Sequence, residues 1–227
     1  MALSFIEVAA NLATVRERIE QAATRAGRDP LEVTLVAVSK MHPPEAIRAA
    51  HAAGHRVFGE NYVQELVDKA DALSDLDGLK FHFIGHLQRN KAKQVVRVGA
   101  VVETVSSPRL ATALGTRAAA AGQTLDVYVQ VNVGGEVQKS GCTVGDAPAV
   151  LDAVREHEGL ILRGLMTVPP ATDDPAEVRP FFARLRELRD ELAPGLGLSM
   201  GMSRDLEIAV EEGATIVRVG TAIFGSR

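Results

Sequence analysis

The sequence predicts an α/β protein of the (β/α)8, TIM-type barrel class with one extra helix at its N-terminus. Three observations lead there. From Val33 almost to the end, short runs rich in β-branched and aliphatic residues alternate with stretches of helical spacing, the pattern of βα units around a parallel sheet. The strand-like runs number eight, which favours a closed barrel over the open doubly wound sheet that the same alternation allows. No Gly/Ser/Pro-rich linker or change of composition interrupts the 227 residues, so a single domain over 1–227 is expected. That length is low for a barrel and requires short loops.

Taken in order, the expected strands are Val33–Ser39, Arg56–Glu60, Phe81–Gly85, Val101–Val105, Leu125–Val133, Ile161–Met166, Leu198–Met202 and Ile216–Val219. Helical spacing marks Pro44–Ala53, Tyr62–Leu73, Lys91–Val98, Pro108–Ala121, Asp146–Glu156, Glu177–Leu192 and Leu206–Glu212. The extra helix, Phe5–Ala26, is placed to cover the face that a missing last helix would leave bare. Gly54, Gly122, Gly159 and Gly213 fall at helix ends, where a left-handed residue is expected.

Composition narrows the function. Hydrophobic residues make up 46% and charged residues 24%, and 25 Lys and Arg stand against 29 acids, a net charge of −4. A general nucleic-acid binder needs a basic stripe to neutralise phosphates, and none is expected here. No apolar run approaches membrane-spanning length, and the first twenty residues are amphipathic rather than signal-like. The single cysteine, Cys142, rules out an internal disulfide and fits a reducing cytoplasm. It reads as incidental rather than as a nucleophile. His42, His51, His55 and His157 share no metal-ligand spacing with carboxylates or with Cys142, so no metal site is expected.

In a barrel of this class the chemistry gathers where the strands end, and phosphate often binds after strands seven and eight. The first strand ends on Ser39-Lys40. Period-2 alternation puts Thr34, Val36, Val38 and Lys40 on one face. If that face points inward, Lys40 tops the barrel interior, where desolvation favours the neutral amine needed for a Schiff base. A lysine whose stem packs while its head reaches solvent is the structural alternative. "SMGMSRD" offers the Ser203 hydroxyl, and "VRVGTAIFG" places Gly220 and Thr221 just after the eighth strand, where glycine lets backbone approach an oxyanion. A phosphorylated aldehyde fits, its phosphate at strands seven and eight and its imine at strand one. Arg218, between Val217 and Val219, is a cation inside a strand. It needs an acceptor, with Glu207 or Glu211 as structural partners or a ligand atom instead. His86 could be a general base, and a hydrogen-bonded structural role is the favoured reading.

"VAVSK", "FGENYVQE", "FIGHLQRNK", "QVNVGGEVQKSG", "GLMTV", "SMGMSRD" and "VRVGTAIFG" follow one another along nearly the whole chain. In that order they resemble the pyridoxal phosphate homeostasis proteins, barrels of the alanine-racemase-like type. The resemblance implies pyridoxal 5′-phosphate (PLP) as cofactor, held as an internal aldimine on Lys40. Ser203, Gly220 and Thr221 would surround its phosphate, Arg218 would face the pyridine nitrogen, and Asn61 would line the ring side. Lys139 resembles the family's second mouth lysine, with a solvated loop lysine as the favoured alternative.

The resemblance leaves carrier and enzyme to be separated. Racemisation needs an acid/base on each face of the Cα carbanion, and the family's racemases use a tyrosine brought by a second domain and a dimer. This chain has only Tyr62 and Tyr128 and reaches Arg227 directly after the eighth strand. The expectation is therefore a non-catalytic protein of vitamin B6 homeostasis that buffers or delivers PLP, with PLP-requiring apo-enzymes as partners. It is expected to be monomeric, cytoplasmic and without nucleic-acid or membrane partners. A weak PLP-dependent amino-acid racemase is the alternative, and a regulator whose PLP occupancy controls a protein partner is a third reading.

Overall fold

The computed structural model describes residues 4–136, 138–172 and 174–225. Val137, inside the "EVQKSG" stretch, and the chain end at Ser226-Arg227 lie outside the described residues. Eight parallel strands close into a barrel in chain order, each pairing with the next and the eighth with the first. They are β1 (Thr34–Val38), β2 (Val57–Glu60), β3 (Lys80–Phe83), β4 (Val101–Val105), β5 (Leu125–Gln130), β6 (Leu160–Met166), β7 (Gly197–Ser199) and β8 (Ile216–Val219). The helices are α1 (Phe5–Arg25), α2 (Pro44–Ala52), α3 (Val63–Ala72), α4 (Ala92–Val98), α5 (Pro108–Ala120), α6 (Ala147–Arg155), α7 (Arg179–Leu192), α8 (Leu206–Glu211) and α9 (Thr221–Phe224).

Strand alternation sorts the side chains into two layers. Leu35, Ala37, Phe58, Phe83, Val102, Leu165 and Val217 face outward and form the main core with the helices. Val36, Tyr128, Met166 and Ile216 form a smaller cluster inside the barrel. The interior is filled by side chains, as expected of eight strands. The β1–β8 register sets Val36 opposite Arg218, which carries Lys40 and Arg218 toward the same end of the interior.

Helix α1 starts from Ser4, whose hydroxyl and backbone N–H form a reciprocal capping box with Glu7. Val8, Leu12, Val15 and Ile19 are its buried stripe. It packs on α8, α2 and α9, so it covers the seam between β8 and β1 as expected. Its Asn11 amide donates to Ile223 O at 2.9 Å, tying the two ends of the barrel chain together.

Most element ends shift by one or two residues from the sequence expectations, β3 running Lys80–Phe83 rather than Phe81–Gly85, and four further differences have local reasons. β7 stops at Ser199 rather than Met202 because Gly201 turns out of the strand with φ +94°. β5 ends at Gln130, and beyond it Val131 only bridges Cys142. Gly54, Gly122 and Gly213 take the left-handed conformation, whereas Gly159 does not. Gly159 is a close-packing residue: a Cβ there would sit 2.6 Å from Gly115 O. α9 is a further short helix, and the sequence pattern around Thr221 did not mark it.

Candidate functional site

At the C-terminal ends of the strands opens a cavity of about 540 Å³. Lys40, Asn61, Ser203, Arg218, Gly220 and Thr221, singled out from sequence on four separate strand ends, all line it. Its apolar wall is Val38, Ile84, Met166 and the Val168–Ala171 stretch after β6. Lys40 is half-buried and continues the inward series Val36 and Val38, so the alternation argument places it at the top of the interior.

Arg218 is 4% exposed and does not pair with Glu207 or Glu211. Those carboxylates are taken by Arg18, Arg25 and Arg179. The expectation failed because Glu207 and Glu211 lie on α8, outside the barrel, while Arg218 points inside it. Arg218 donates through Nη2 to Thr167 O at 2.8 Å and through Nη1 to Ser199 Oγ. Its charge partner is Glu103 on β4, with Nη1 3.7 Å from Oε2. Ser199 Oγ donates to Glu103 Oε2 at 2.5 Å, and His82 Nδ1 lies 2.6 Å from Glu103 Oε1. Full burial works to raise the Glu103 pKa, but the hydrogen bond and charge of His82, the Arg218 charge and the Ser199 bond outweigh it and hold the carboxyl below its ordinary range. A buried guanidinium is thus neutralised from beneath while its edge reaches the cavity.

The opposite rim is built from two turns. Asp205 Oδ1 accepts from Met202 N at 2.6 Å and so folds the "GMSRD" turn that presents Ser203. Burial raises the Asp205 pKa against that bond and the Arg218 charge. Gly220 sits where a Cβ would meet Val38 O at 3.2 Å and Val38 Cβ at 3.3 Å, so a side chain would crowd the seam between β1 and β8. Asn61 Oδ1 is buried against the cavity wall with no hydrogen-bond partner among the described residues, an acceptor able to take a donor from a ligand. The Asn61 backbone is crossed by Gly85, where a Cβ would lie 1.9 Å from Asn61 O.

Lys139 also lines the cavity rather than standing in solvent. It donates to Pro169 O at 2.5 Å and pairs with Glu136 at 2.8 Å, joining the loop after β5 to the loop after β6. His86 is exposed and lies outside the cavity lining, whereas His82 is the buried partner of Glu103. Cys142 is buried, and desolvation pushes its thiol up to about 12, so it stays protonated at neutral pH. Sequence reasoning missed Asp205 and Gly85 as shaping residues. Both stand in the quoted motifs, and a carboxylate two residues past Ser203 was the available signal for a turn.

A closed parallel barrel with a lysine, an arginine and a glycine-hydroxyl rim at its mouth defines an alanine-racemase-type barrel, and the family model described as alanine racemase, N-terminal domain, matches residues 10–227. The pyridoxal phosphate homeostasis protein of Pseudomonas aeruginosa is 50% identical, the match covering 97% of this chain and 96% of that one. PipY of Synechococcus elongatus, solved with PLP bound, superposes with a TM-score of 0.82 at 38% identity over 96% of this chain and all of that one. Without PLP it superposes with a TM-score of 0.86 at 40% identity, with the same coverage. The chain belongs to the pyridoxal phosphate homeostasis protein family. Alanine racemase of Corynebacterium glutamicum shares the fold, with a TM-score of 0.73 at 18% identity over 98% of this chain and 62% of that one.

Proposed function

We propose that this protein binds PLP through Lys40 and buffers or delivers it in vitamin B6 homeostasis without catalysing a reaction of its own. The observation that carries the reading is the convergence of Lys40, Arg218, the Ser203–Gly220–Thr221 rim and the unsatisfied Asn61 Oδ1 on one cavity. The donor set fits the cofactor: an amine for an aldehyde, hydroxyls and glycine backbone for a phosphate, and an amide for a ring substituent. The PLP-bound PipY relative supports the same ligand.

When bound, PLP supplies an aldehyde that condenses reversibly with an amine and a ring that can draw electrons from an attached carbon. Lys40 presents the amine from the end of β1. Ser203, Thr221 and the Gly220 backbone would hold the phosphate. Arg218, a permanent cation, would leave a ring nitrogen bonded to it unprotonated and the ring a weaker electron sink. Val38, Ile84 and Met166 give the cavity an apolar wall that excludes water. Among the described lining residues the ionisable ones are Lys40, Lys139, Arg204, Asp205 and Arg218. Asp205 is occupied by Met202 N, and neither tyrosine lines the cavity. With Lys139 engaged by Pro169 O and Glu136, none of these groups stands ready as the opposed acid/base that racemisation needs, which supports holding over turnover. We read the protein as a single-domain, cytoplasmic monomer that passes PLP to apo-enzymes.

Borohydride reduction after PLP addition tests the reading. Added PLP is expected to give a visible imine band that borohydride bleaches as it fixes one equivalent on Lys40, and Lys40→Ala is expected to lose both. A stoichiometric adduct persisting in that variant moves the site elsewhere, and rapid Lys40-dependent exchange of amino-acid Cα protons in D2O overturns the carrier role.

A further inference from the structure

Both chain neighbours of Lys40 are gripped by one polar cluster on the outer face of the barrel. Lys69, on α3, is 5% exposed. It donates to Ser39 O at 2.8 Å, Glu60 Oε1 at 2.7 Å and Glu65 Oε2 at 2.9 Å. Ser39 Oγ donates to the same Glu60 oxygen at 2.7 Å. On the other side of Lys40, Met41 N donates to Glu65 Oε2 at 2.7 Å. Met41 has φ +62°, the one positive φ among the described non-glycine residues, a backbone state that surrounding contacts must maintain. None of these cluster side chains lines the cavity.

We propose that Lys69 and Glu65 are positioning residues for Lys40: they clamp the Ser39 carbonyl and the Met41 amide so that the chain turns at Lys40 and projects its amine into the cavity. The physical case is one of cost. A lysine and a carboxylate withdrawn from water on the outer face repay their desolvation only with good geometry, and an apolar pair would pack α3 on β2 as well. What an apolar pair cannot do is hold a carbonyl and an amide on either side of one residue and keep Met41 left-handed. Lys69 has three donors and uses each on a different acceptor. Glu65 Oε2 links the two grips, since it accepts from both Lys69 and Met41 N. The cluster therefore acts on Lys40 through the backbone, from behind the barrel wall.

This inference rests on Lys40 as the attachment point of PLP, and the test separates the two. Three quantities are compared in wild type, Lys69→Met, Glu65→Ala and Glu65→Gln. They are the rate of borohydride-trappable bond formation with PLP, the affinity for pyridoxine 5′-phosphate, which has no aldehyde, and hydrogen exchange at the Met41 amide. Misplacing a reacting group costs rate steeply, so Lys69→Met and Glu65→Ala are expected to slow trapping by about tenfold while pyridoxine phosphate affinity stays within about twofold. Met41 exchange should accelerate in Glu65→Ala, and Glu65→Gln, which keeps an oxygen for Met41 N, should recover most of the trapping rate. Wild-type trapping in Glu65→Ala despite a released Met41 amide overturns the proposal. So does a parallel fall in trapping and pyridoxine phosphate affinity, the sign of a merely structural role. If Lys69→Met does not fold, the two Glu65 variants decide alone. Failure of the underlying reading looks different, as a trappable bond that survives in Lys40→Ala.

Discussion

Two buried cation–carboxylate clusters lie on opposite sides of the same barrel wall, and they are built differently. Outside, Lys69 joins Glu60, Glu65 and Ser39 and takes hold of backbone next to Lys40. Inside, Arg218 joins Thr167 O, Ser199 and Glu103, with His82 behind, and links residues on or just past five strands of the barrel. The outer cluster has a compact ammonium with three separate acceptors, and the inner one a planar fork that spans two. The most buried carboxylates of the two, Glu60 and Glu103, answer burial in opposite ways. At Glu65, on the edge of the outer cluster, desolvation is outweighed by the bonds from Met41 N and Lys69 and the pKa falls. Desolvation dominates at Glu60 and raises its pKa despite Lys69 and Ser39, while at Glu103 the surrounding donors and charges win and lower it. The lesson is that burial alone does not set the sign: each carboxylate accepts two side-chain hydrogen bonds, and Glu103 has the Arg218 charge as well as His82 set against its desolvation.

The largest break of this comparison is Glu103→Ala, which strands Arg218 as an uncompensated interior cation. It should cost about 3–5 kcal/mol of unfolding free energy, measured by urea titration, with loss of PLP affinity. Glu60→Ala should cost less, about 1–3 kcal/mol, because Lys69 keeps Glu65 and the Ser39 carbonyl. Equal losses would mean that the two clusters carry the same charge burden. Gly85→Ala pushes a methyl onto the Asn61 backbone between the clusters and should destabilise by about 1–3 kcal/mol, with a matching drop in pyridoxine phosphate binding. A wild-type Tm there would show that the Asn61 turn relaxes freely.

The smallest effect is the sharpest discriminator. Glu103, lowered in the fold, contributes stability above its ordinary value of 4.5 and loses it as pH falls through the lowered value. Glu60, raised in the fold, contributes below that ordinary value of 4.5, and its contribution is lost as pH rises through the raised value. Acid titration of stability should therefore flatten in Glu103→Gln and steepen in Glu60→Gln. Parallel slopes in the two variants would remove the distinction.

Much of this was legible in the chain. The alternation of strand-like and helical runs marked all eight strands, and β4 and β8 have the bounds expected. Ends shifted where a turn competed with strand pattern, as at Gly201, because a period-2 run of apolar residues continues through a residue whose φ leaves the sheet. Gly159 looked like a helix stop, yet it is small for the sake of Gly115. A glycine needed for contact and one needed for conformation read alike in sequence.

At the site, the strand-end rule places Lys40, Ser203, Gly220 and Thr221 at one barrel mouth. The sequence by itself determined the fold class, the strand ends at which chemistry gathers, and the division of β1 into two faces, because these depend on local periodicity and chain order. Which of its two apolar faces points inward was decided by the closed barrel. Only the tertiary structure decided who neutralises Arg218. Candidate acids nearby in sequence lay on α8, on the wrong side of the wall, and Glu103 came from a strand 115 residues earlier by number. Only it, too, revealed that Lys69 and Glu65 close on the residues flanking Lys40. Pairings between distant strands and helices follow from barrel closure, a property of the whole chain that no local window of sequence contains.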